Sequence, residues 1–281
     1  LNKDGNEGEV QPVLDVEIVE DSKALAKAYD YFKEQSQMAC FQLIDKSDSW
    51  SSTLCGIALA SEGRSYYIDF TGEIDSEDWI ARWKDLWQDA GIEKYGHNIK
   101  ELVTWMTRQG VTMKGLCFDT MISEYLLEPS GVDYNLSQLG EKYLSWKVDS
   151  ISELQGKGKS FRYYAEIPVD EISDLAAIYA VIILKIRVKQ LEQLEDSNQH
   201  ELFFDIELPL IKVLADMEYY GFKIDAEELK KYGDMLGTRI RTLEQEITLL
   251  AGEDFNINSP KQLGAVLFEK LNLPVIKKTK T

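Results

Sequence analysis

Met38-Ala39-Cys40-Phe41-Gln42-Leu43-Ile44-Asp45 is a β-suited run, and two more, Thr53 to Ser61 and Arg64 to Phe70, follow it across short polar or glycine turns. Three such runs in close succession predict an antiparallel meander. Upstream, Val16-Glu17-Ile18-Val19-Glu20 alternates like a strand, and Asp21-Ser22 can cap a helix running to about Gln35. Downstream the pattern changes. Ser76 is placed to cap a helix with Trp79, Trp83 and Leu86/Trp87 on one face, followed by a short strand at Lys94 to Gly96 and a helix from Ile99 to Gln109. Further helices are expected from Asp119 and Leu136, a loop at Lys157-Gly158-Lys159-Ser160, and a long, strongly apolar helix from Asp170 to about Leu194. The expectation is an α/β domain over residues 15–200 with a mixed five-stranded sheet, preceded by a flexible acidic lead-in at residues 1–14.

The tail differs in kind. Phe203, Ile206, Leu210, Val213, Met217 and Tyr220 recur at helical spacing, and Leu229, Tyr232, Leu236, Ile240, Leu243, Ile247 and Leu250 continue the seam after Gly221 to Asp225. Two long antiparallel helices are expected, then a third from Ser259 to Asn272, so residues 201–281 read as the start of a second domain.

Composition narrows the function. With 281 residues, 44% apolar and 28% charged, the chain can bury a sizeable core and is not disordered or low-complexity. Of the net charge of −18, residues 204–281 carry −2 and the first 203 carry −16, which argues against holding nucleic acid by bulk charge over the first domain. From Lys261 onward the balance reverses to +4. Cys40, Cys55 and Cys117 are isolated and lie in apolar stretches, a usage that fits free thiols in the cytoplasm better than a disulfide framework. His97 and His200 are too few for a zinc cluster. The longest apolar run, Leu175 to Leu184, is far below the roughly 20 residues of a membrane helix, and no membrane partner is expected.

Phe118-Asp119-Thr120-Met121 with Tyr125-Leu126-Leu127, then Leu139-Gly140-Glu141-Lys142-Tyr143-Leu144, resembles the proofreading domain of the bacterial DNA polymerase I type of family A polymerases. The tail is more specific. Glu207-Leu208-Pro209-Leu210, Met217-Glu218 through Gly221 to Asp225, and Phe255-Asn256-Ile257-Asn258-Ser259-Pro260-Lys261-Gln262-Leu263 resemble the entry to that family's polymerase domain, the helical thumb. The resemblance implies a ribonuclease-H-like 3′-5′ exonuclease fold, four carboxylates and a tyrosine holding two divalent metals, and a thumb that holds duplex primer-template DNA. Such metals need anionic oxygens to activate water and stabilise the leaving oxygen.

Position by position, that implied site is degenerate. The first motif, Asp-x-Glu, falls on Gln42 and Ile44, or in a second register on Phe41 and Leu43. Asp45 and Asp48 are nearby at the wrong spacing and read as turn residues. In Gly96-His97-Asn98-Ile99-Lys100-Glu101-Leu102, Asn98 and Lys100 match the second motif while Leu102 stands where the Asp belongs. Glu101, about 100° around the helix, should point elsewhere. His97 reads as a surface or hydrogen-bonded histidine, and Asp119, Glu171 and Asp174 as helix-start carboxylates. In the third motif the tyrosine falls on Leu175 and the aspartate on Tyr179.

The expectation is therefore an inactive exonuclease-like platform, with no cofactor of its own, in a polymerase whose Mg²⁺ centre lies outside this stretch. The chain is expected to be an internal piece of that polymerase, partnered by the rest of it. Trp79, Trp83 and Trp87 sit beside acids and read as core packing rather than a stacking platform. DNA contact is expected at Asn258, Ser259, Lys261, Gln262, Lys277, Lys278, Thr279 and Lys280, where amides at a helix start and a lysine cluster suit phosphates. Two rivals remain: proofreading through relocated acids such as Asp45, Glu101 and Asp174, and an acidic surface that docks a partner protein.

Overall fold

The computed structural model describes residues 16–46, 51–131 and 133–275. The proposed lead-in at 1–14, Asp48, and Lys277, Lys278, Thr279 and Lys280 lie outside the described residues. Strand β1 (Val16–Val19) leads into α1 (Ser22–Lys33), whose start is capped by the Asp21 carboxylate accepting from Lys23 and Ala24 N–H. The meander follows as β2 (Gln37–Lys46), β3 (Ser52–Ser61) and β4 (Arg64–Asp69), antiparallel in sequence. Strand β5 (Glu93–Gly96) pairs parallel with β2.

The sheet has six strands, ordered β1-β4-β3-β2-β5-β6, and not five. The additional strand, β6 (Leu116–Asp119), pairs parallel with β5. Four residues are too few to show a period, and Asp119 carries a helix-start signal that masks the strand it ends. Gly115 turns the chain into β6 at φ +70°, where a Cβ would collide with the Ile92 carbonyl.

The tryptophan helix breaks in two, α2 (Ser76–Arg82) and α3 (Lys84–Gln88), and Asp75 rather than Ser76 supplies the cap. Trp79, Trp83 and Trp87 are buried, with ring centroids 5.7 and 5.9 Å from that of Trp79, so they are core. Next come α4 (Lys100–Arg108), α5 (Thr120–Leu127), α6 (Leu136–Leu144), α7 (Ile151–Gln155) and the long α8 (Val169–Asp196). Leu175, Ala176, Tyr179, Ala180, Ile182 and Ile183 of α8 are buried where this helix packs on β2, β3 and β4. Small alanines let the helix approach the sheet, and the branched residues fill the space between them.

The chain forms two compact units, residues 1–221 and 222–281. Helix α9 (Leu208–Tyr220), which the sequence seam assigns to the tail, packs on α4 inside the first unit. Ile211 and Ala215 are buried there, and the Lys100 ammonium meets the Glu218 carboxylate at 2.5 Å. The compact boundary is thus Gly221, at φ +61°, rather than residue 200. The second unit contains α10 (Ala226–Ala251), capped by Asp225, and α11 (Pro260–Gly264), which widens into a π-type turn over Ala265–Lys270. The helices of the expected antiparallel pair belong to different units, and the seam residues of α10 from Leu229 to Leu250 are exposed.

Candidate functional site

A cleft of about 440 Å³ opens beside the middle of the sheet. Strand β2 contributes Phe41, Gln42 and Ile44, the turn into α4 gives His97, Asn98 and Glu101, and Tyr134, Ile151, Tyr164 and Tyr179 complete much of the wall. A bulge between Leu43 and Ile44 shifts the register of β2 against β3. Of the two registers considered, the one placing Gln42 and Ile44 brings both residues to the cleft, while Leu43 is buried away from it.

The Gln42 NH₂ and the Tyr179 hydroxyl on this wall are engaged by the protein, while the buried Gln42 Oε1 has no hydrogen-bond partner among the described residues. The Gln42 amide donates to the Asn98 carbonyl at 3.0 Å and the His97 carbonyl at 3.4 Å, which orients its NH₂ by the two acceptors it meets. The Tyr179 hydroxyl donates to the Asp149 carbonyl at 2.9 Å and accepts from Ile151 N–H at 3.2 Å. Burial pushes that phenol above its usual range. The Tyr179 ring stands edge-on to Phe41 with centroids 5.0 Å apart, closing the space between β2 and α8. Leu102 and Leu175 are buried and do not line the cleft.

The relocated acids fare differently from one another. Glu101 faces the cleft, contrary to the expectation from its helical offset, because it lies in the first turn of α4 just after Asn98 at φ +49°. Lys46 holds it at 2.6 Å. The Asp45 carboxylate accepts from Tyr164 N–H at 2.9 Å and Ala165 N–H at 3.0 Å, so it anchors the chain ahead of α8. Asp174 is exposed on α8. Among the described residues no group of three or more His, Cys, Asp or Glu side chains could hold a metal ion. An amide, an aliphatic group and an engaged phenol, with the two carboxylates of the cleft held by Lys46 (Glu101, 2.6 Å) and by the Asn135 amide (Asp133, 2.6 Å), are a poor donor set for Mg²⁺ or Mn²⁺, so the residues present do not fit a two-metal centre.

His97 lines the cleft and Asp119 lies just behind it. Asp119 is fully buried; its carboxylate accepts from Met121 N–H (2.9 Å), Ile122 N–H (3.1 Å) and Ile99 N–H (2.8 Å), tying the end of β6 to the starts of α5 and α4. Burial raises its pKa against the opposing pull of those N–H groups. His97 Nδ1 lies 2.9 Å from Thr120 Oγ1, whose hydroxyl donates to the Gly96 carbonyl at 3.2 Å, so Nδ1 carries the proton. Burial pushes this imidazole down to about 3, which keeps it neutral near pH 7. Sequence reasoning missed Tyr134, Ile151 and Tyr164, which arrive from loops and short helices that carry no motif of their own.

In the second unit, Ser259 Oγ accepts from Gln262 N–H at 3.4 Å, and the Gln262 side-chain Oε1 accepts from Asn256 N–H at 2.7 Å. Asn258 N–H donates to Asn256 Oδ1 at 3.0 Å. This Ser-Pro-Lys-Gln start resembles a capping box and leaves Lys261 exposed.

Two family models match the chain between them over more than half of its length: the ribonuclease H-like domain of DNA polymerase I over residues 43–175, and DNA polymerase family A over residues 226–281. The chain belongs to the family A DNA polymerases. The second match begins at the first residue of α10, just past the compact boundary. DNA polymerase I of Bacillus subtilis (strain 168) is 35% identical over 228 residues, 81% of this chain and 25% of that protein. The chain thus spans about a quarter of the length of this curated relative. Among solved structures, the POL domain of Pol1 from M. smegmatis, in complex with DNA primer-template and dNTP, aligns at TM-score 0.72 and 23% identity, over 94% of this chain and 42% of that one. RNase D of Escherichia coli, an exoribonuclease, aligns at TM-score 0.57 and 18% identity over 72% of this chain and 51% of its own, and shares the fold of the first unit. This chain joins a ribonuclease-H-like domain to a stretch matching the family A polymerase model.

Proposed function

We propose that this chain is part of a DNA polymerase I acting in DNA replication and repair, in which the first unit is an exonuclease-like platform that no longer hydrolyses DNA. The observation that carries this reading is the cleft wall at Gln42, Ile44 and Tyr179, where metal-binding anions would be needed and an amide NH₂ and a phenol hydroxyl serve the fold instead. Catalytic Mg²⁺ would then serve the polymerase centre of the longer protein. The second unit, through Asn258, Ser259, Lys261, Gln262 and the lysines after Val275, would approach duplex primer-template DNA, with the remaining polymerase chain as its structural partner.

The test is a labelled single-stranded DNA incubated with the purified chain and Mg²⁺ or Mn²⁺. No shortening from the 3′ end is expected. Shortening abolished by Glu101→Gln or Asp45→Asn would overturn the proposal in favour of relocated carboxylates. For the second unit, duplex binding should be weak and salt-sensitive, and Lys261→Gln should flatten the slope of log K against log[salt] by about 0.9. An unchanged slope would remove Lys261 from the DNA contact.

A further inference from the structure

A second cavity, of about 360 Å³, lies between α4, β6 and α9, and every residue lining it belongs to the first unit. It shares no lining residue with the cleft. Its walls are apolar: Val103 comes from α4, Met113 and Leu116 from the chain entering β6, and Phe204, Leu208 and Ile211 from the chain running into α9. Val103, Met113, Leu208 and Ile211 are buried, so this floor is already withdrawn from water. A cavity so lined offers water few hydrogen-bond partners, and its size falls within the range that small-molecule sites occupy.

Local backbone features keep the space open. Gly115, at the edge of the cavity, brings no side chain to it. The chain enters α9 through a π-type turn, Leu202–Glu207, whose wider coil carries Phe204 to the cavity. Pro209 follows, and without an N–H it cannot close the ordinary helical bond to the Asp205 carbonyl. Polar groups gather at the mouth. Lys212 and Asp216, one turn apart on α9, form an exposed ion pair at 2.8 Å, which occupies one of the three N–H donors of the ammonium. Thr112 is exposed on the same rim, while the Thr107 hydroxyl is spent on the Val103 carbonyl at 2.8 Å. Two N–H groups of Lys212 and the Thr112 hydroxyl therefore remain as donors beside an apolar chamber.

The geometry points to a binding site for a small aromatic carboxylate, with its ring system against Phe204 and the Val103–Ile211 floor and its carboxylate on Lys212 and Thr112. A flat apolar body matches the walls, and an anionic head matches a rim with donors to spare. A cation would meet the Lys212 ammonium, and a wholly polar molecule would leave the apolar walls without a partner. The site stands apart from the proposed function and from whether the cleft hydrolyses anything.

The experiment is isothermal titration calorimetry of the full chain with 2-naphthoate, and with 2-naphthalenemethanol as the uncharged counterpart. The wild-type chain should bind one naphthoate with a dissociation constant on the order of 0.1–1 mM, and the alcohol more weakly. Leu116→Phe and Thr107→Leu each fill the chamber, from β6 and from α4, and should weaken both ligands by about tenfold or more. Because the two act from different elements, a fold lost in one variant leaves the other as the test. Lys212 is exposed, so Lys212→Met should keep the parent's melting temperature; it should weaken naphthoate by roughly two- to fivefold and spare the alcohol. The exposed apolar residues of α10 could also take up aromatic molecules, and such uptake would ignore the filling variants. The proposal is overturned if naphthoate does not saturate a single site, if a folded filling variant binds it as the wild type does, or if Lys212→Met leaves the preference for the carboxylate unchanged.

Discussion

Two side chains at the cleft, His97 and Gln42, carry measurable consequences of their burial and hydrogen bonding. His97 is held neutral by burial, with a folded value of about 3 against an unfolded one of about 6.5. The unfolded chain therefore takes up a proton between those values that the folded chain refuses. Stability should be full above about pH 6.5 and fall as the pH drops towards 3, by at most about 1.4 kcal/mol per unit. Urea unfolding at pH 7.5 and 5 should show the loss, and His97→Asn, which keeps a donor for Thr120, should remove much of it. Gln42 carries a second expectation. Its NH₂ faces two carbonyls, so the isosteric change Gln42→Glu sets a carboxylate against acceptors and should cost about 1–3 kcal/mol in urea unfolding. An acid at position 42 is opposed by the two carbonyls it would meet.

At the scale of elements, Asp119 is the join most worth testing. Asp119→Ala removes an N-cap and strands Ile99 N–H, for a loss of about 2–4 kcal/mol. Asp119→Asn should cost less, because its carbonyl oxygen can keep the cap while its NH₂ faces the Ile99 N–H; thermal unfolding of the two variants should rank them in that order. The meander, α1 and α8 were legible in the sequence because long apolar runs and capping residues announce them. Strand β6 was not, since its identity depends on pairing with β5, and the break at Trp83 was not, since a continuous apolar face reads as one helix. Within the cleft, Gln42, Ile44 and Tyr179 were legible from motif spacing and Leu102 and Leu175 were not cleft residues. Glu101 was misread because a first helical turn entered through a left-handed Asn98 does not follow the ideal wheel.

At the scale of the whole molecule, the two units differ in how they are supported. Nearly all buried apolar residues belong to the first unit, whereas Ala251 and Val266 are the buried ones in the second among the described residues. A chain ending at Gly221 should therefore keep a cooperative thermal transition close to that of the full chain. Residues 222–281 alone should show little cooperative unfolding by circular dichroism, since about 25 cal/mol per Å² of buried apolar area has little to act on there. A cooperative transition in the isolated second piece would contradict this.

One consequence follows from the way Asp119 knots β6, α4 and α5 together through peptide N–H groups. The wall behind the cleft is braced by the polypeptide's own peptide groups, so on the proposed reading no bound metal supports it. Prolonged chelation should leave the first unit's heat resistance where it was.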